Sequence, residues 1–331
     1  MSRIVCGHTY DDIISPENLL AAWREFLKGK RNKRDVQEFQ YRLSDNLLTL
    51  HAALKTKSYS HGGYYAFNIS DPKPRNIHKA KVADRLLHHA IYRKLYPFFD
   101  KTFISHSYSC RKGKGTHRAI KAFIRYATKG SNNNTKTLWI LKCDIRKFFA
   151  SVDQSILLGI LQQRIVDLDI LRLLESVIGS FSTAPGKGLP LGNLTSQLLV
   201  NIYMNEFDQF VKHRLKVKLY IRYADDFVIL SRDKKWLECQ LPQIEHFLRD
   251  RLRLTLHPGK VYIKSLSSGI DFLGWIHFSG HRVLRTATKR RMLKRIADRK
   301  EGDPVVQSYF GLLSHGNAEK LRQEARRRLG N

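Results

Sequence analysis

Apolar positions recur along the chain mostly at helical spacing. Near the amino terminus Ser15 is a suitable N-cap and Pro16 fits the first helical position. Leu19, Trp23 and Phe26 then fall on one face, so the segment predicts a capped amphipathic helix. The same spacing predicts further helices at 36–54, 82–96, 155–163, 170–179, 194–213 and 236–252, and a basic helical tail from 288.

Short apolar or alternating segments lie between these helices. They predict strands at 64–69, 138–144, 219–223, 227–230, 254–263 and 270–278, with turns or loops at 71–75, 131–135 and 185–193. The strands at 219–223 and 227–230 flank Asp225-Asp226, which is the pattern of a hairpin. Helix-rich segments around short central strands favour an α+β fold.

The net charge of the chain indicates what kind of molecule it binds. Lys and Arg number 59 against 29 Asp and Glu, which gives a formal charge of +30. Such an excess on a folded protein is best explained by a long polyanion, because solubility alone is satisfied by a far smaller imbalance. No apolar run approaches the ~18–20 residues that span a bilayer. The first residues also lack an apolar signal core, so a cytoplasmic protein is expected.

Aspartates at the ends of predicted strands are the candidate catalytic residues. Asp144 ends the strand at 138–144, and Asp225-Asp226 sits in the turn of the hairpin. Buried carboxylates need compensation, and two Mg²⁺ ions about 3.5–4 Å apart would supply it and clamp a phosphoryl-transfer reaction. An Asp-Asp pair in a turn is also common in purely structural hairpins, so the dipeptide alone does not decide between the two interpretations.

Five segments occur in the order of motifs A to E of reverse transcriptases. The tetrapeptide Tyr223-Ala224-Asp225-Asp226 resembles the Tyr-x-Asp-Asp of motif C. The other four resemblances are carried by 141–153 (motif A), 188–197 (motif B), 254–260 (motif D) and 269–275 (motif E). The chain is therefore similar to reverse transcriptases over roughly residues 60–280.

The resemblance implies a right-hand polymerase fold with fingers, a palm on a small antiparallel sheet, and a helical thumb. The implied domains are an N-terminal helical extension at 1–58, fingers at 59–136, a palm with interleaved helices at 137–268, and a primer-grip hairpin and thumb at 269–331. Helical spacing of Met292, Ile296 and Leu313 favours a packed thumb over basic tails that bind nucleic acid nonspecifically.

The resemblance also implies roles for individual residues. Asp144, Asp225, Asp226 and the Ile145 carbonyl would bind two Mg²⁺ ions, with Mn²⁺ as a substitute. Lys260 is a candidate general acid beside the pyrophosphate, or simply a solvated lysine. Contacts to the incoming dNTP are assigned to Arg75, Lys147, Phe149, Leu191 and Gln197, and contacts to nucleic acid to Arg111, Lys112, Lys114, Tyr223, Phe272 and Gly274.

Two of these positions carry alternatives. Phe149 would act as a steric gate against a ribose 2′-OH, or would be an ordinary core residue, for which Phe148 is the better candidate. The basic loop residues would contact nucleic acid or would only be solvated. Asp153 opens a helix and is expected at least to cap it.

Leu191 and Gln197 distinguish motif B from its form in retroviral and group II intron enzymes. This form resembles the reverse transcriptases of diversity-generating retroelements, which implies errors at template adenines and a small basic helical accessory protein. The implied partners are template RNA, the RNA–cDNA hybrid and dNTPs. The alternatives are an orphan group II intron-like or antiphage-defence reverse transcriptase, and a noncatalytic RNA-binding module.

Overall fold

The computed structural model describes residues 5–70, 74–297 and 299–329. Its chain forms two compact units, each assembled from separate stretches of sequence. Unit 1 contains the described residues up to Ser105, with Ile145–Phe210 and Glu245–Thr255. Unit 2 contains His106–Asp144, Val211–Ile244 and the described residues from Leu256 onward. The domain boundaries implied by the resemblance stay predictions.

The helices and strands follow the predicted order. The helices are α1 Tyr10–Ile14, α2 Pro16–Phe26, α3 Arg34–Tyr41, α4 Leu43–Lys55, α5 Val82–Asp100, α6 Thr116–Gly130, α7 Phe148–Ser151, α8 Gln154–Gln162, α9 Leu168–Gly179, α10 Leu194–Gln209, α11 Lys234–Leu252, α12 Thr286–Ile296, α13 Pro304–Leu313 and α14 Glu319–Arg327. The strands are β1 Tyr64–Ile69, β2 Arg75–Ala80, β3 Trp139–Asp144, β4 Tyr220–Tyr223, β5 Asp226–Ser231, β6 Tyr262–Ser265, β7 Ile270–Phe272, β8 Trp275–His277 and β9 Arg282–Leu284. In the described residues no helix is long and apolar enough to cross a bilayer.

Most predicted elements are confirmed, with three corrections. The helix predicted at 36–54 is two helices, because Arg42 leaves helical geometry with φ −117° and ψ 46°. The strand predicted at 254–263 is mostly loop, and its only residues in a strand are Tyr262 and Ile263, at the start of β6. The strand predicted at 270–278 is the hairpin β7–β8, joined by a third strand, β9, that was not predicted. Residues 71–73 of the predicted turn lie outside the described residues.

Unit 1 packs its helices mainly on one another, with α5 against both α2 and α10, while most residues of the hairpin β1–β2 are exposed or half-buried. Ser15 caps α2 as predicted, since its side chain accepts a hydrogen bond from the Asn18 amide. Trp23 and Phe26 of α2 are buried, and the Asn18 side chain donates to the Ala90 carbonyl of α5 at 3.2 Å. This contact joins α2 to α5, so the predicted apolar face of α2 is confirmed as core.

A group of buried polar residues, named here the histidine cluster, lies where α5 meets the segment before β1. It comprises Tyr59, His61, Tyr64, Asp84 and His88. Asp84 accepts hydrogen bonds from the Tyr59 hydroxyl at 2.7 Å and from the Gly62 amide at 3.2 Å. The His61 ring stacks on Tyr64 and on His88 at centroid distances of 4.7 and 5.5 Å.

Unit 2 is built on a four-stranded antiparallel sheet of order β4-β5-β3-β6. Helix α6 packs on it through the buried residues Ala119, Phe123 and Ala127, which share one core with Ile140 and Val228 of the sheet. The small antiparallel sheet predicted for the palm is therefore present.

The second sheet of unit 2, β7-β8-β9, adjoins three carboxy-terminal helices. Trp275 of β8 is buried in one core with Met292, Ile296 and Leu313 of these helices. Tyr309 and Phe310 pack on the same core. Packed helices, rather than basic tails, are confirmed.

Candidate active site

The hairpin β4–β5 closes on a strained two-residue turn. Tyr223 pairs with Asp226, which leaves Ala224 and Asp225 as the loop. Ala224 has φ +57°, a region that residues other than glycine rarely occupy. Such strain persists only where neighbours enforce it. Arg222 does so here, because its Nη1 donates to the Ala224 carbonyl at 3.0 Å.

Register places the third predicted carboxylate beside this turn. Asp144, the last residue of β3, is the antiparallel partner of Asp226 on β5. Burial raises the pKa of Asp225, and the nearby Asp144 charge raises it further. Burial likewise raises the pKa of Asp226 to about 6, with Asp225 and Asp144 adding to the effect and Lys142 opposing it. Three carboxylates, named here the carboxylate cluster, therefore crowd one end of the sheet.

Two lysines pair with members of the cluster. Lys142 Nζ lies 2.5 Å from Asp226 Oδ1, and its side chain is 7% exposed. Lys260 Nζ lies 2.8 Å from Asp144 Oδ1, on a side chain that is 43% exposed. The loop carrying Lys260 is fastened to β3, since the His257 amide donates to the Asp144 carbonyl at 2.7 Å. Asp225 has no ion-pair partner in the part of the chain described.

The donor set suits a hard divalent cation. Carboxylate oxygens are the ligands that Mg²⁺ prefers, and uncompensated charge at Asp225 gives such an ion a place to bind. Within the described ranges, no three His, Cys, Asp or Glu side chains are already arranged around a common metal position. Two of the three carboxylates are instead paired with lysines, Asp144 with Lys260 and Asp226 with Lys142. Cation binding at this site therefore requires at least one lysine to leave its carboxylate.

The segment before α6 supports the outer edge of β4. The Tyr108 amide donates to the Arg222 carbonyl and the Arg222 amide to the His106 carbonyl, both at 3.0 Å. The Arg222 side chain, fully buried, also donates to Ser107 Oγ at 3.0 Å. The Thr116 hydroxyl donates to the Tyr223 hydroxyl at 3.1 Å. This segment thus fixes the strand that presents the turn.

Sequence reasoning missed Arg222 and Lys142. Both are charged residues inside short, otherwise apolar strands. A charge at such a position needs a buried partner, and this requirement was the available indication.

The basic residues predicted to contact nucleic acid follow the same segment. Arg111 donates to the Ser107 carbonyl at 3.0 Å, and Lys114 Nζ lies 5.3 Å from the centre of the Tyr108 ring. Lys112 is exposed. These three residues therefore lie in unit 2, on the segment that borders Arg222. Their contact with nucleic acid stays a prediction.

The hairpin of motif E limits how Phe272 could take part in the predicted contact with nucleic acid. Phe272 is fully buried against Phe123, so its ring has no surface to offer a nucleic acid. Any contact at this position would come from the backbone. Leu273 and Gly274 form the turn with φ +52° and +88°, and a Cβ at Gly274 would meet no atom within 4 Å. Gly274 is therefore an open turn that another backbone can approach.

The residues predicted to bind dNTP lie in unit 1. Lys147 is exposed and left-handed, with φ +46°, and it precedes α7. Phe148 is buried, as predicted for a core residue, whereas Phe149 is half-buried. The Ile145 side chain is buried. Asp153 caps α8 as predicted and also pairs with Arg253 at 2.6 Å.

Motif B lies against the strand that carries Arg75. The His78 amide of β2 donates to the Leu191 carbonyl, and Asn193 Nδ2 donates to the His78 carbonyl, both at 3.0 Å. Gly192 has φ +110°, and a Cβ there would lie 2.9 Å from an Ile77 methyl, so the close approach needs glycine. The structure thus brings Leu191 to the strand of Arg75. Gln197 is half-buried in the first turn of α10.

Comparison with known proteins agrees with this arrangement. Residues 70–277 match the family model described as "Reverse transcriptase (RNA-dependent DNA polymerase)". Protein YkfC of Escherichia coli is 26% identical over 259 residues, covering 66% of this chain and 66% of YkfC. The group II intron-encoded protein LtrA of Lactococcus lactis is 23% identical over 296 residues, covering 69% of this chain and 47% of LtrA. The chain therefore spans less than two thirds of each of these relatives.

A solved structure shares the fold. Telomerase from Candida albicans, in complex with a fragment of telomeric RNA, aligns with a TM-score of 0.50 and 12% identity, over 79% of this chain and 54% of the telomerase. The α+β polymerase fold implied by the resemblance is confirmed. With the family model matched over most of the chain, the protein belongs to the reverse transcriptase family.

Proposed function

We propose that the chain is an RNA-directed DNA polymerase that joins dNTPs to a primer on an RNA template. The observation that carries the proposal is the carboxylate cluster, in which Asp144, Asp225 and Asp226 meet at the strained end of an otherwise apolar sheet. Three crowded acids raise the free energy of the metal-free protein, and a site built for divalent cations explains why they are kept.

The reaction forms one phosphodiester bond and breaks one phosphoanhydride bond. A primer 3′-oxygen attacks the α-phosphorus of the dNTP, and pyrophosphate leaves. Two bound Mg²⁺ ions would supply charge neutralisation for the attacking and leaving oxygens. The residues of this chain position them: Asp144 and Asp225 bind cations, Asp226 assists as an auxiliary carboxylate, and the Ile145 carbonyl adds a neutral oxygen.

Lys260 is suited to the leaving-group side of this reaction. It is the more exposed of the two lysines, and it lies on a loop that hydrogen bonds to Asp144. With a cation bound at Asp144, the Lys260 ammonium group would be free of that carboxylate and would be available to donate a proton to the departing pyrophosphate. The noncatalytic alternative does not explain why this lysine and the carboxylates are present together.

Substrate choice is assigned to unit 1. Phe149 is half-buried beside buried Phe148, so part of its ring remains accessible to a sugar. Arg75 is exposed at the start of β2 and is available to hold a triphosphate as a bidentate donor. Selection of dNTPs over ribonucleotides follows if the Phe149 ring excludes a 2′-OH.

Primer extension on an RNA template with dNTPs and Mg²⁺ tests the proposal. We expect Asp225→Asn to reduce extension by about 10³-fold or more, because it removes a charge aimed at the cations. RNA affinity, measured by fluorescence anisotropy, should change little. Asp45→Asn, an exposed aspartate of α4, is the matched control. Wild-type inactivity with a range of template RNAs, or full activity of Asp225→Asn, would contradict the proposal.

The finer function rests on Leu191. We propose that the chain belongs with the enzymes of diversity-generating retroelements and copies template adenines with errors. The Leu191 carbonyl is fixed by His78, so the loop is anchored while its side chain offers no polar group. Loss of a side-chain hydrogen bond near the nucleotide would weaken discrimination. A small basic helical accessory protein is the proposed partner.

Sequencing of the cDNA tests this finer proposal. We expect errors to concentrate opposite adenine and to fall in Leu191→Gln, with Leu191→Met as the control of similar size. Errors distributed evenly over the four template bases would exclude it.

That result would favour the second candidate, an orphan enzyme related to those of group II introns. The similarity to the intron-encoded protein LtrA supports this candidate. Its polymerase would copy all four bases with similar fidelity.

A further inference from the structure

Lys142 is a buried cation in the central strand of the sheet. Its neighbours Leu141 and Cys143 are fully buried, and Lys142 itself is 6% exposed. Lysine is almost never buried without a partner, because its ammonium group loses its hydration. The partner here is Asp226, at 2.5 Å, and the Cys143 carbonyl lies farther away, at 3.4 Å.

The two lysines at the carboxylate cluster differ in accessibility. Lys260 is 43% exposed, and a surface ion pair of this kind contributes at most about 1 kcal/mol, so it is easily exchanged. The Lys142 side chain is 7% exposed and that of Asp226 is 21% exposed, and breaking such a largely buried pair from one side is far more costly. A cation arriving at the cluster therefore displaces Lys260 readily and Lys142 hardly at all.

The pairing of Lys142 also limits what Asp226 can bind. If Asp226 coordinated a divalent ion, the Lys142 ammonium would stay 2.5 Å from a ligand oxygen, facing the charge of the ion. In the described residues Asp226 is the one carboxylate that forms an ion pair with Lys142, so leaving Asp226 would break the salt bridge of this buried ammonium group. Asp144 and Asp225 carry no such constraint, because Lys260 can withdraw and Asp225 is unpaired.

We propose, on the basis of the polymerase function above, that Lys142 is a positioning residue that keeps Asp226 outside the metal shell. Asp144 and Asp225 are then the carboxylate ligands, and the pair Lys142–Asp226 contributes no net charge. Asp226 is the first residue of β5, directly after the turn that contains Asp225. Its ion pair with Lys142 links this end of β5 to the central strand β3.

The test uses four variants of the full chain: Lys142→Met, Asp226→Asn, the double variant and Lys142→Arg. The first measurement is thermal unfolding without metal. Lys142→Met should lower the Tm by several degrees, because it leaves Asp226 Oδ1, an oxygen shielded from solvent, without its ion pair. Adding Asp226→Asn should recover more than half of that loss. Lys142→Arg, which keeps the charge, should stay closer to wild type than Lys142→Met.

The second measurement counts bound Mn²⁺ ions by electron paramagnetic resonance, with a primer that ends in a 3′-deoxynucleotide, an RNA template and dNTP. A purely structural role for the pair would leave the number and the affinity of these ions unchanged in Lys142→Met, whereas the proposal expects the affinity to change because Asp226 is released from its lysine. We expect Asp226→Asn to hold as many ions as wild type and Asp225→Asn to hold fewer. Loss of an ion in Asp226→Asn, or additive Tm losses in the double variant, would overturn the proposal.

These outcomes separate this inference from the proposed function. Neither the Tm coupling nor the ion count requires turnover. A wild-type chain that shows both but never extends a primer would refute the polymerase assignment and leave the Lys142–Asp226 pair supported. If the wild-type chain extends primers normally but Asp226→Asn loses a bound ion, the polymerase assignment is supported and the proposed role of Lys142 is refuted.

Discussion

The carboxylate cluster of unit 2 and the histidine cluster of unit 1 both bury ionisable groups, and they balance charge in opposite ways. Asp84 is held by neutral donors, the Tyr59 hydroxyl and the Gly62 amide. Asp144 and Asp226 are held by lysines, and Asp225 is left with raised pKa. Neutral donors satisfy the one carboxylate of the histidine cluster, whereas the carboxylate cluster has an excess of negative charge. Ring nitrogens of His61 and His88 lack hydrogen-bond partners among the described residues, and burial lowers the pKa of both histidines, which favours the neutral rings. The difference marks which of the two regions is built to receive a cation.

Among the variants that test this comparison, the one that removes the positively charged support of the turn should have the largest effect on stability and primer extension. Arg222→Met would leave Ser107 Oγ and the Ala224 carbonyl without their buried donor, at a cost of roughly 2–4 kcal/mol in unfolding free energy. With the turn free to relax, the rate of primer extension should fall by about 100-fold or more. Single-nucleotide extension and urea unfolding measure the two effects.

Arg251→Met, at an exposed arginine of α11, is the control for the loss of a positive charge. If Arg222→Met unfolds more easily but extends primers at the wild-type rate, the turn does not depend on this support. The contrast between the two clusters would then lose its functional meaning.

The histidine cluster should respond to pH through stability. Burial lowers the pKa of His88 to about 3, so the folded chain binds this proton far more weakly than the unfolded chain. The stability that the folded chain gains from a neutral His88 is fully present above about pH 6.5, the pKa of a histidine in the unfolded chain. It is lost as the pH falls towards the pKa of His88 in the folded chain. Between pH 6.5 and pH 5 the free energy of unfolding should fall by about 2 kcal/mol because of His88. The variant His88→Met should lack this part of the pH dependence.

Urea unfolding at a series of pH values measures the slope for both proteins. His213→Met, at an exposed histidine, is the matched control. An identical slope in His88→Met and wild type would show that His88 is not the residue responsible.

The smallest effect is expected at the outer rim of the turn. Thr116→Val removes the hydroxyl that donates to Tyr223 but keeps the shape of the side chain. A single hydrogen bond of this kind contributes about 1 kcal/mol, so extension should fall by no more than about fivefold. Tyr223→Phe should give a similar loss, and the double variant little more than either alone, because both remove the same bond.

Local chemistry explains which parts of the fold were predictable. The cap at Ser15 and the hairpin around Asp225 follow from residues close together in sequence, and both are confirmed. The break at Arg42 and the strand β9 depend on packing partners, because Arg42 interrupts an otherwise continuous helical pattern and β9 is three residues long. Neither has a sequence pattern strong enough to stand alone.

The candidate site shows the same division. The carboxylates were found because their motifs lie on short segments, whereas Lys142 and Arg222 gain their roles only through partners set by strand register. Phe272 was assigned to nucleic acid by its motif, and packing against Phe123 buried it instead. Resemblance identified the kind of site, and tertiary contacts determined which side chains reach it.

The strand order of the main sheet has a consequence for biosynthesis. β3 is central, yet its neighbours β5 and β6 begin at Asp226 and Tyr262, many residues later. On the ribosome the strand bearing Asp144 emerges long before either pairing partner exists. Pairings between segments so distant in sequence form slowly, and unpaired apolar strands are prone to aggregate. The carboxylate cluster therefore cannot assemble before β5 has been translated, and β3 lacks its second partner strand until β6, which ends at Ser265, has followed.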